Sequence, residues 1–467
     1  METECKSNQL KLYPLHSRDV IAKFDGGNIT SDSGAFLLRE VEKRTHILKR
    51  FSDCFTDYRN PKFIEHTIEA LIKQRVFGIA MGYEDLNDHD TLRQDPCLGM
   101  LCEKQDPTGS DRCMNRDKGR ASAGKSTLNR LELGAVTINR YKKIAPNMEA
   151  IDALLVDLFI ESHERAPEEI ILDLDATDDP IHGNQEGRFF HGYYGHYCYL
   201  PLYIFCGEQL LCARLRTADC DASDGVLTEL ERILKKLRAV WPKTRILIRG
   251  DSGFCRNEIM DWCEINGVDY VLGLAKNNRL QKEIIEEMAE AKMSHETTGL
   301  AARIFKDFRY QTLKSWSRER RVVGKAEYLN KGENPRFIVT SLGLECQGAV
   351  LYETVYCARG EMENRIKEQQ LYLFADRTST HGMASNQLRL YFSSFAYVIM
   401  ETLRRLALHG TEMAKAQCST IRLKLFKIGA QIRVSVRKVW LSISESYPFA
   451  DLMNQVLRRL QQIPLRV

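Results

Sequence analysis

Ile170-Ile171-Leu172-Asp173-Leu174-Asp175-Ala176-Thr177 is a short apolar, β-prone run that carries two acids, the second at its end. Further along, Arg245-Ile246-Leu247-Ile248-Arg249-Gly250-Asp251-Ser252-Gly253-Phe254 has the same design, a buried strand that stops at a glycine turn and an acid. Two such runs read as adjacent central strands of one sheet, with both carboxylates at strand ends. Residues 193–206 are rich in Tyr, Leu and Ile, and 209–217 follow a turn at Gly207. With 170–175 they read as an antiparallel meander. Residues 224–240 form an amphipathic helix, with Leu227, Leu230, Ile233, Leu234 and Leu237 on one stripe. A helix over 257–266 and a strand over 270–274 complete the series.

Three strands, helix, strand, helix, strand is the order of an RNase H-like core. The expected fold class is α/β, an RNase H-like mixed sheet core interrupted by a small β-rich insertion, with a helical N-terminal region. Residues 1–165 read as mostly helical, with Ser31-Asp32 capping a helix to about Lys49 and further helical periods over 63–81, 127–133 and 148–163. Residues 166–279 are the first part of the core. Residues 280–345 read as a separate β-rich insertion, a charged helix over 281–293 followed by alternating runs at 302–313, 320–327 and 336–341. The core resumes over 346–410, with a strand-like run at 350–357, a helix from about Glu361 and a long helix over 385–408. Residues 411–467 are a basic C-terminal segment with a strand-like run at 431–442 and a last helix over 449–461.

The chain has 467 residues, 43% hydrophobic and 28% charged. Those values exclude a disordered, collagenous or disulfide-scaffold protein. No apolar run approaches the ~18 residues of a membrane span, and the start resembles no signal peptide. The 14 cysteines form no C-x-x-C pair and suit a reducing compartment as buried small hydrophobes. His191, His196 and Cys198 share a strand-like stretch and read as strand residues rather than a metal site. The chain is therefore expected to be soluble and intracellular. Its 67 basic and 63 acidic residues give a net charge of +4, too mild to identify a polyanion partner. Distribution says more, because 112–143 and 401–438 each hold nine Lys/Arg against two acids.

Gly119-Arg-Ala-Ser-Ala-Gly124-Lys125-Ser126 matches the P-loop pattern letter for letter. A P-loop needs a buried strand feeding its glycine turn, so that backbone N–H groups cradle phosphate at a helix N-terminus. Residues 109–118 are polar and cannot supply that strand. A basic loop capping the next helix is the better reading. Asp175 and Asp251 carry more weight together, because strand-end carboxylates a few ångströms apart are what a two-metal phosphodiester site requires. A third acid from a nearby helix is needed. Glu361, Glu363 and Glu368 all lie beyond Tyr356-Cys-Ala-Arg359-Gly360, and periodicity does not choose among them.

At this point the sequence resembles the DDE transposases of bacterial insertion sequences, in particular the domain group 1 subset. That group has an RNase H-like core with a β insertion before the last acid, and carries Y-x₂-R-x₃-E near that acid. Tyr356, Arg359 and Glu363 match it residue by residue, which selects Glu363. Asp175-Ala-Thr177 and Gly250-Asp251-Ser-Gly-Phe254 match the surroundings of the first two acids. Phe24-Asp-Gly-Gly, Gly82-Tyr-Glu-Asp, Ser126-Thr-Leu-Asn-Arg130 and His191-Gly-Tyr-Tyr also look like the subset, so the likeness covers nearly the whole chain. One position departs, since the usual Lys seven residues after the Glu falls on Gln370.

The resemblance implies a cut-and-paste transposase that binds two Mg²⁺ ions through Asp175, Asp251 and Glu363, with Mn²⁺ able to substitute. Water and then the freed 3′-hydroxyl would attack phosphodiesters in line. Arg359 and Tyr356 would contact the DNA backbone near the cut, and Asp173 is the runner-up ligand or a supporting group. Lys367, one helical turn after Glu363, would replace the lysine missing at 370. Trp316, in the insertion, is a candidate to stack on a displaced base; its plainer reading is the core Trp of a small β domain. The partners implied are double-stranded DNA, as terminal inverted repeats and target, and a second copy in a synaptic homodimer, with no membrane. The helical N-terminal region and the basic C-terminal segment would bind the repeats. The location implied is the bacterial cytoplasm, at the nucleoid. Two rivals stand beside this reading, a P-loop NTPase resting on Lys125 and a non-catalytic DNA-binding relic.

Overall fold

The computed structural model describes residues 9–133, 139 and 141–466. The chain divides into two compact units, 1–146 with 395–467, and 147–394.

The 147–394 unit is built on a nine-stranded mixed sheet. Its order is Gln209–Arg214, Leu202–Cys206, Glu169–Ala176, Arg245–Gly250, Asp269–Leu274, Arg336–Thr340, Arg320–Leu329 and Ala302–Tyr310, with Gly332–Glu333 paired on Arg320–Leu329. The three central strands Glu169–Ala176, Arg245–Gly250 and Asp269–Leu274 run parallel, and the others join antiparallel. Parallel neighbours need a crossover, here the helix Val226–Val240 between the first two. Side chains alternate across the sheet. Ile170, Leu172, Leu174, Ile246 and Ile248 face one way, into a core with Val226, Leu230, Ile233 and Leu237 of that helix. Ile171, Leu247, Val271, Val323 and Ile338 face the other way, against Leu351, Tyr352, Val355 and Tyr356. Asp173 and Asp175 continue the Ile171 side, so both acids point to the face that the 351–372 segment covers.

Two expectations in this unit are corrected. The 302–340 strands do not form a sheet of their own. Arg336–Thr340 pairs with Asp269–Leu274 and carries the central sheet onward. The first eight residues of Arg320–Leu329 are all buried, which requires cover on both faces; without this extension Asp269–Leu274 would be a bare edge. Residues 350–357 are not a strand either. Leu351–Tyr356 is a wide-turn helix, followed by a tight turn over Cys357–Arg359 and the helix Gly360–Lys367. Its apolar residues 351, 352, 355 and 356 recur at helical spacing and lie on the sheet. The 193–206 run is broken at Pro201 into His196–Tyr199 and Leu202–Cys206, as a residue without an N–H requires. His196–Tyr199 belongs to a small sheet with Asp179–Pro180 and Phe189–His191.

In the other unit the helix expected to about Lys49 is two helices, Phe36–Thr45 and Ile47–Asp53, hinged at His46 in the left-handed region (φ 53°). The Glu42 carboxylate caps the second by accepting from the N–H groups of Leu48 and Lys49 at 2.8 and 2.9 Å. Ile68–Met81 is helical as expected, with Thr67 as its cap. The mostly helical expectation for this region misses an exposed hairpin, Gln9–Leu15 with Arg18–Lys23. A three-stranded sheet joins Asn28–Thr30 to Ala430–Val434 and Val439–Ile443.

Candidate active site

Asp175 stands near the C-terminal end of Glu169–Ala176. Asp251 follows Arg245–Gly250 and caps the turn Ser252–Phe254, its Oδ1 accepting from Gly253 N–H at 2.8 Å. Glu363 projects from the helix Gly360–Lys367. All three line one cavity of about 530 Å³, together with Arg359, Lys367, His191, Tyr193 and Tyr194. Of the three glutamates left open by periodicity, only Glu363 lines this cavity. Glu368 is buried and paired with Arg365 at 3.2 Å, and Glu361 lies exposed outside it.

Arg359 reaches between two of the acids, 3.1 Å from Glu363 Oε1 and 3.8 Å from Asp175 Oδ2. Burial pushes the Asp175 carboxyl up to about 7; Arg359 opposes the shift and the Asp251 and Glu363 carboxylates add to it. Three carboxylates crowded onto one cavity are costly unless cations balance them. The donor set is entirely carboxylate oxygen, the chemistry that hard Mg²⁺ prefers, so the residues fit such an ion. Among the described residues no group of three acidic, histidine or cysteine side chains forms a ready-made metal cage. His191, His196 and Cys198 likewise form none; His196 pairs with Asp178 at 2.7 Å and Cys198 is buried in its strand.

Asp173 is not a cavity ligand. Its carboxylate takes a forked pair of hydrogen bonds from Arg249, the Nη2 arm at 2.8 Å, in the register partner position of the neighbouring strand. Arg249 Nη1 also donates to the Val355 carbonyl. One guanidinium therefore ties together the strand bearing Asp175, the strand leading to Asp251 and the helical segment leading to Glu363. Burial pushes the Asp173 carboxyl up against the Arg249 charge that holds it down. Sequence reasoning passed over Arg249, although an arginine directly after Ile246-Leu247-Ile248 in a buried strand is itself a signal, because a buried guanidinium requires a carboxylate.

Tyr356 is half-buried on the segment leading to Glu363, and its hydroxyl would lie within 2.5 Å of a Cβ built on Gly273. Lys367 is exposed on the cavity rim and, among the described residues, makes no ion pair; Glu363 pairs with Arg359 instead. Gln370 Nε2 donates to the Asp178 carbonyl and to Asp179 Oδ1, both at 3.0 Å.

Trp316 is corrected. It is 6% exposed, edge-on to Tyr310 at 5.7 Å with Arg320 over its ring, and belongs to the main core. A ring enclosed in this way has no open face for a base. The P-loop reading also fails on geometry. Lys125 begins the helix Lys125–Glu132 after loop and a short turn, and among the described residues no strand leads into it. Asp90 already occupies the helix N-terminus, accepting from Lys125 N–H at 3.0 Å, and Lys125 Nζ reaches Asn87 at 3.1 Å. A carboxylate stands where a phosphate would have to sit.

A family model for the transposase DDE domain, group 1, matches residues 12–465. The chain belongs to that family. It is thus a DDE transposase, of a class that cuts and joins DNA strands and generally uses divalent metal ions. No individual curated protein matches it significantly. Among the described residues no helix is long and apolar enough to cross a membrane.

Proposed function

We propose that this transposase moves an insertion sequence by cut-and-paste, with Asp175, Asp251 and Glu363 as its catalytic carboxylates on an RNase H-like core. The observation that supports this most is their meeting in one cavity from two parallel strand ends and one helix, with Arg359 between them. The three carboxylates would hold two Mg²⁺ ions, or Mn²⁺. Bound there, the ions supply Lewis-acid stabilisation of the attacking and leaving oxygens of a phosphodiester. Arg359 offers a planar fork to the phosphate beside the cut, a charge-assisted contact. Lys367, free on the rim, adds a point charge on a long stem. Tyr356, beside Arg359, would brace the same DNA backbone. The substrate is double-stranded DNA, at the terminal inverted repeats and then the target, handled by a synaptic homodimer in the bacterial cytoplasm at the nucleoid.

The test is incubation of the purified chain and Mg²⁺ with labelled duplex carrying the repeats that flank its gene. Cleavage should vanish in Asp175→Ala, Asp251→Ala and Glu363→Ala while binding persists. A Glu363→Ala protein that still cuts, beside a dead Glu361→Ala, overturns the choice of third acid. Binding without cleavage by the unaltered chain would instead favour the DNA-binding relic.

A further inference from the structure

The C-terminal basic segment contains a piece of sheet that its own unit leaves uncovered. Ala430–Val434 and Val439–Ile443 pair along their full length, from Ala430↔Ile443 to Val434↔Val439. The third strand of that sheet, Asn28–Thr30, reaches only Ala430, Gln431 and Ile432. Beyond Ile432 the hairpin projects as a two-stranded ribbon. Such a ribbon alone is marginal in water. Its turn is tied by Ser435, whose N–H donates to Lys438 O at 2.8 Å and whose hydroxyl accepts from Lys438 N–H at 3.1 Å.

The two faces differ. Ala430 and Ile432 are buried and anchor the base of the ribbon to its unit. Arg433 lies directly opposite Trp440 on the other face, and Trp440 is 51% exposed. Arg437 and Lys438 occupy the tip, with Lys438 Nζ 5.0 Å from the Trp440 ring centre. Val436 at the turn is fully exposed. No acid occurs between residues 430 and 444. Among the described residues Arg433, Arg437 and Lys438 make no ion pair. A projecting ribbon with three cations that make no ion pair among the described residues, a half-exposed indole and exposed valines is built for an anionic, grooved partner.

We propose that this ribbon enters the major groove of the element's end, with Arg433 reading base edges and Arg437 and Lys438 holding phosphates. The major groove, ~12 Å wide, admits a two-stranded ribbon, and arginine reads guanine there through a forked pair. The proposal rests on the reading that the C-terminal segment binds the repeats, and makes no use of the catalytic acids.

The experiment measures binding by the full chain, without divalent metal, to two duplexes, one carrying the flanking repeats and one of scrambled sequence. Arg437→Ala/Lys438→Ala should weaken both equally and lower the salt slope by about 1.8, or ~0.9 per phosphate contact. Arg433→Ala should weaken the repeat duplex about tenfold and the scrambled one little, so that their ratio collapses. All three positions are exposed, and unchanged thermal melting verifies the fold. If Arg433→Ala leaves the ratio intact while the tip variant weakens both duplexes, groove reading is overturned. If neither variant changes binding but the chain's oligomeric state shifts on sizing with light scattering, the ribbon is a contact between copies and the proposal fails. Because no cleavage is measured, failure of the catalytic assignment leaves this result untouched.

Discussion

Breaking the Asp173–Arg249 pair should separate stability from catalysis. Both side chains are nearly buried, at 4% and 8% exposure. Removing one partner of such a pair strands a charge and typically costs ~3–5 kcal/mol. For a domain of this size that is a fall in melting temperature of roughly 6–20 °C, at ~2–4 °C per kcal/mol. Asp173→Leu and Arg249→Leu should each show it. The double variant Asp173→Leu/Arg249→Leu removes both charges, and such apolar replacements are often neutral, so it should recover most of the loss. It still lacks the Nη1 bond to Val355, which holds the Tyr356–Glu363 segment on the sheet. Small misplacements at a reacting centre cost ~100-fold, and single-turnover cleavage should fall by that order despite the recovered fold. Melting by circular dichroism and cleavage under enzyme excess are the two measurements. A double variant that cuts at the original rate would refute the link between this pair and the site. Single variants that melt normally would refute the burial argument.

Trp316→Ala should cost ~3–5 kcal/mol in denaturant unfolding, as core Trp truncations do, and should leave DNA affinity of the folded fraction unchanged. His66 and His89 are 6% and 0% exposed, and burial, with nearby cations, holds each imidazole down at about 3. Both are neutral when folded, so the unfolded chain binds more protons between about 6.5 and 3. Stability is then complete above pH 6.5 and falls with acid by up to ~1.4 kcal/mol per pH unit for each histidine; a His66→Gln/His89→Gln chain should show a shallower acid limb in pH-dependent melting. Lys125→Ala should create or remove no nucleotide requirement, and ATP hydrolysis that tracks Lys125 would contradict this. Gln370→Ala strips the hydrogen bond from the buried Asp179 carboxyl and should cost ~1–3 kcal/mol on unfolding, with a lower rate of cleavage through the shifted helix.

The two acid-bearing strands were legible because their signal is local. Each is an apolar run ending on a carboxylate, and pairing Leu174 with Gly250 puts the ends side by side. The third acid was not legible from periodicity, since Glu361, Glu363 and Glu368 differ only in which way one helix turns. That orientation is set by Leu351, Tyr352 and Val355 seating on the sheet, a long-range contact. The same contacts explain the misread strand at 350–357, because a short apolar run fits a strand or a buried helix equally well. The 302–340 strands carried a correct local pattern, but alternation cannot say which sheet an edge joins. Trp316 reads as near DNA only if its segment stands apart; because that segment continues the main sheet, the indole falls into the main core.

The departure at residue 370 follows from the same packing. A lysine there would put an ammonium beside the Asp178 carbonyl and the Asp179 carboxyl, a group with no solvent exposure that burial pushes far up. An ammonium in that niche would draw Asp179 toward ionisation and form a buried ion pair, whose desolvation cost the attraction seldom repays. Glutamine satisfies both acceptors without charge. On the proposed reading, Lys367 would supply the rim cation one turn earlier. Lys367 and Gln370 both line the cavity, but Lys367 is on the solvent side, where its charge costs little. Glu363 does not capture Lys367, because Arg359 already holds Glu363 from the preceding turn. On the proposed reading Arg359 would serve the acids and Lys367 would stay available to a phosphate, while the neutral Gln370 bonds Asp178 and Asp179 where its helix meets the small sheet of Asp179–Pro180.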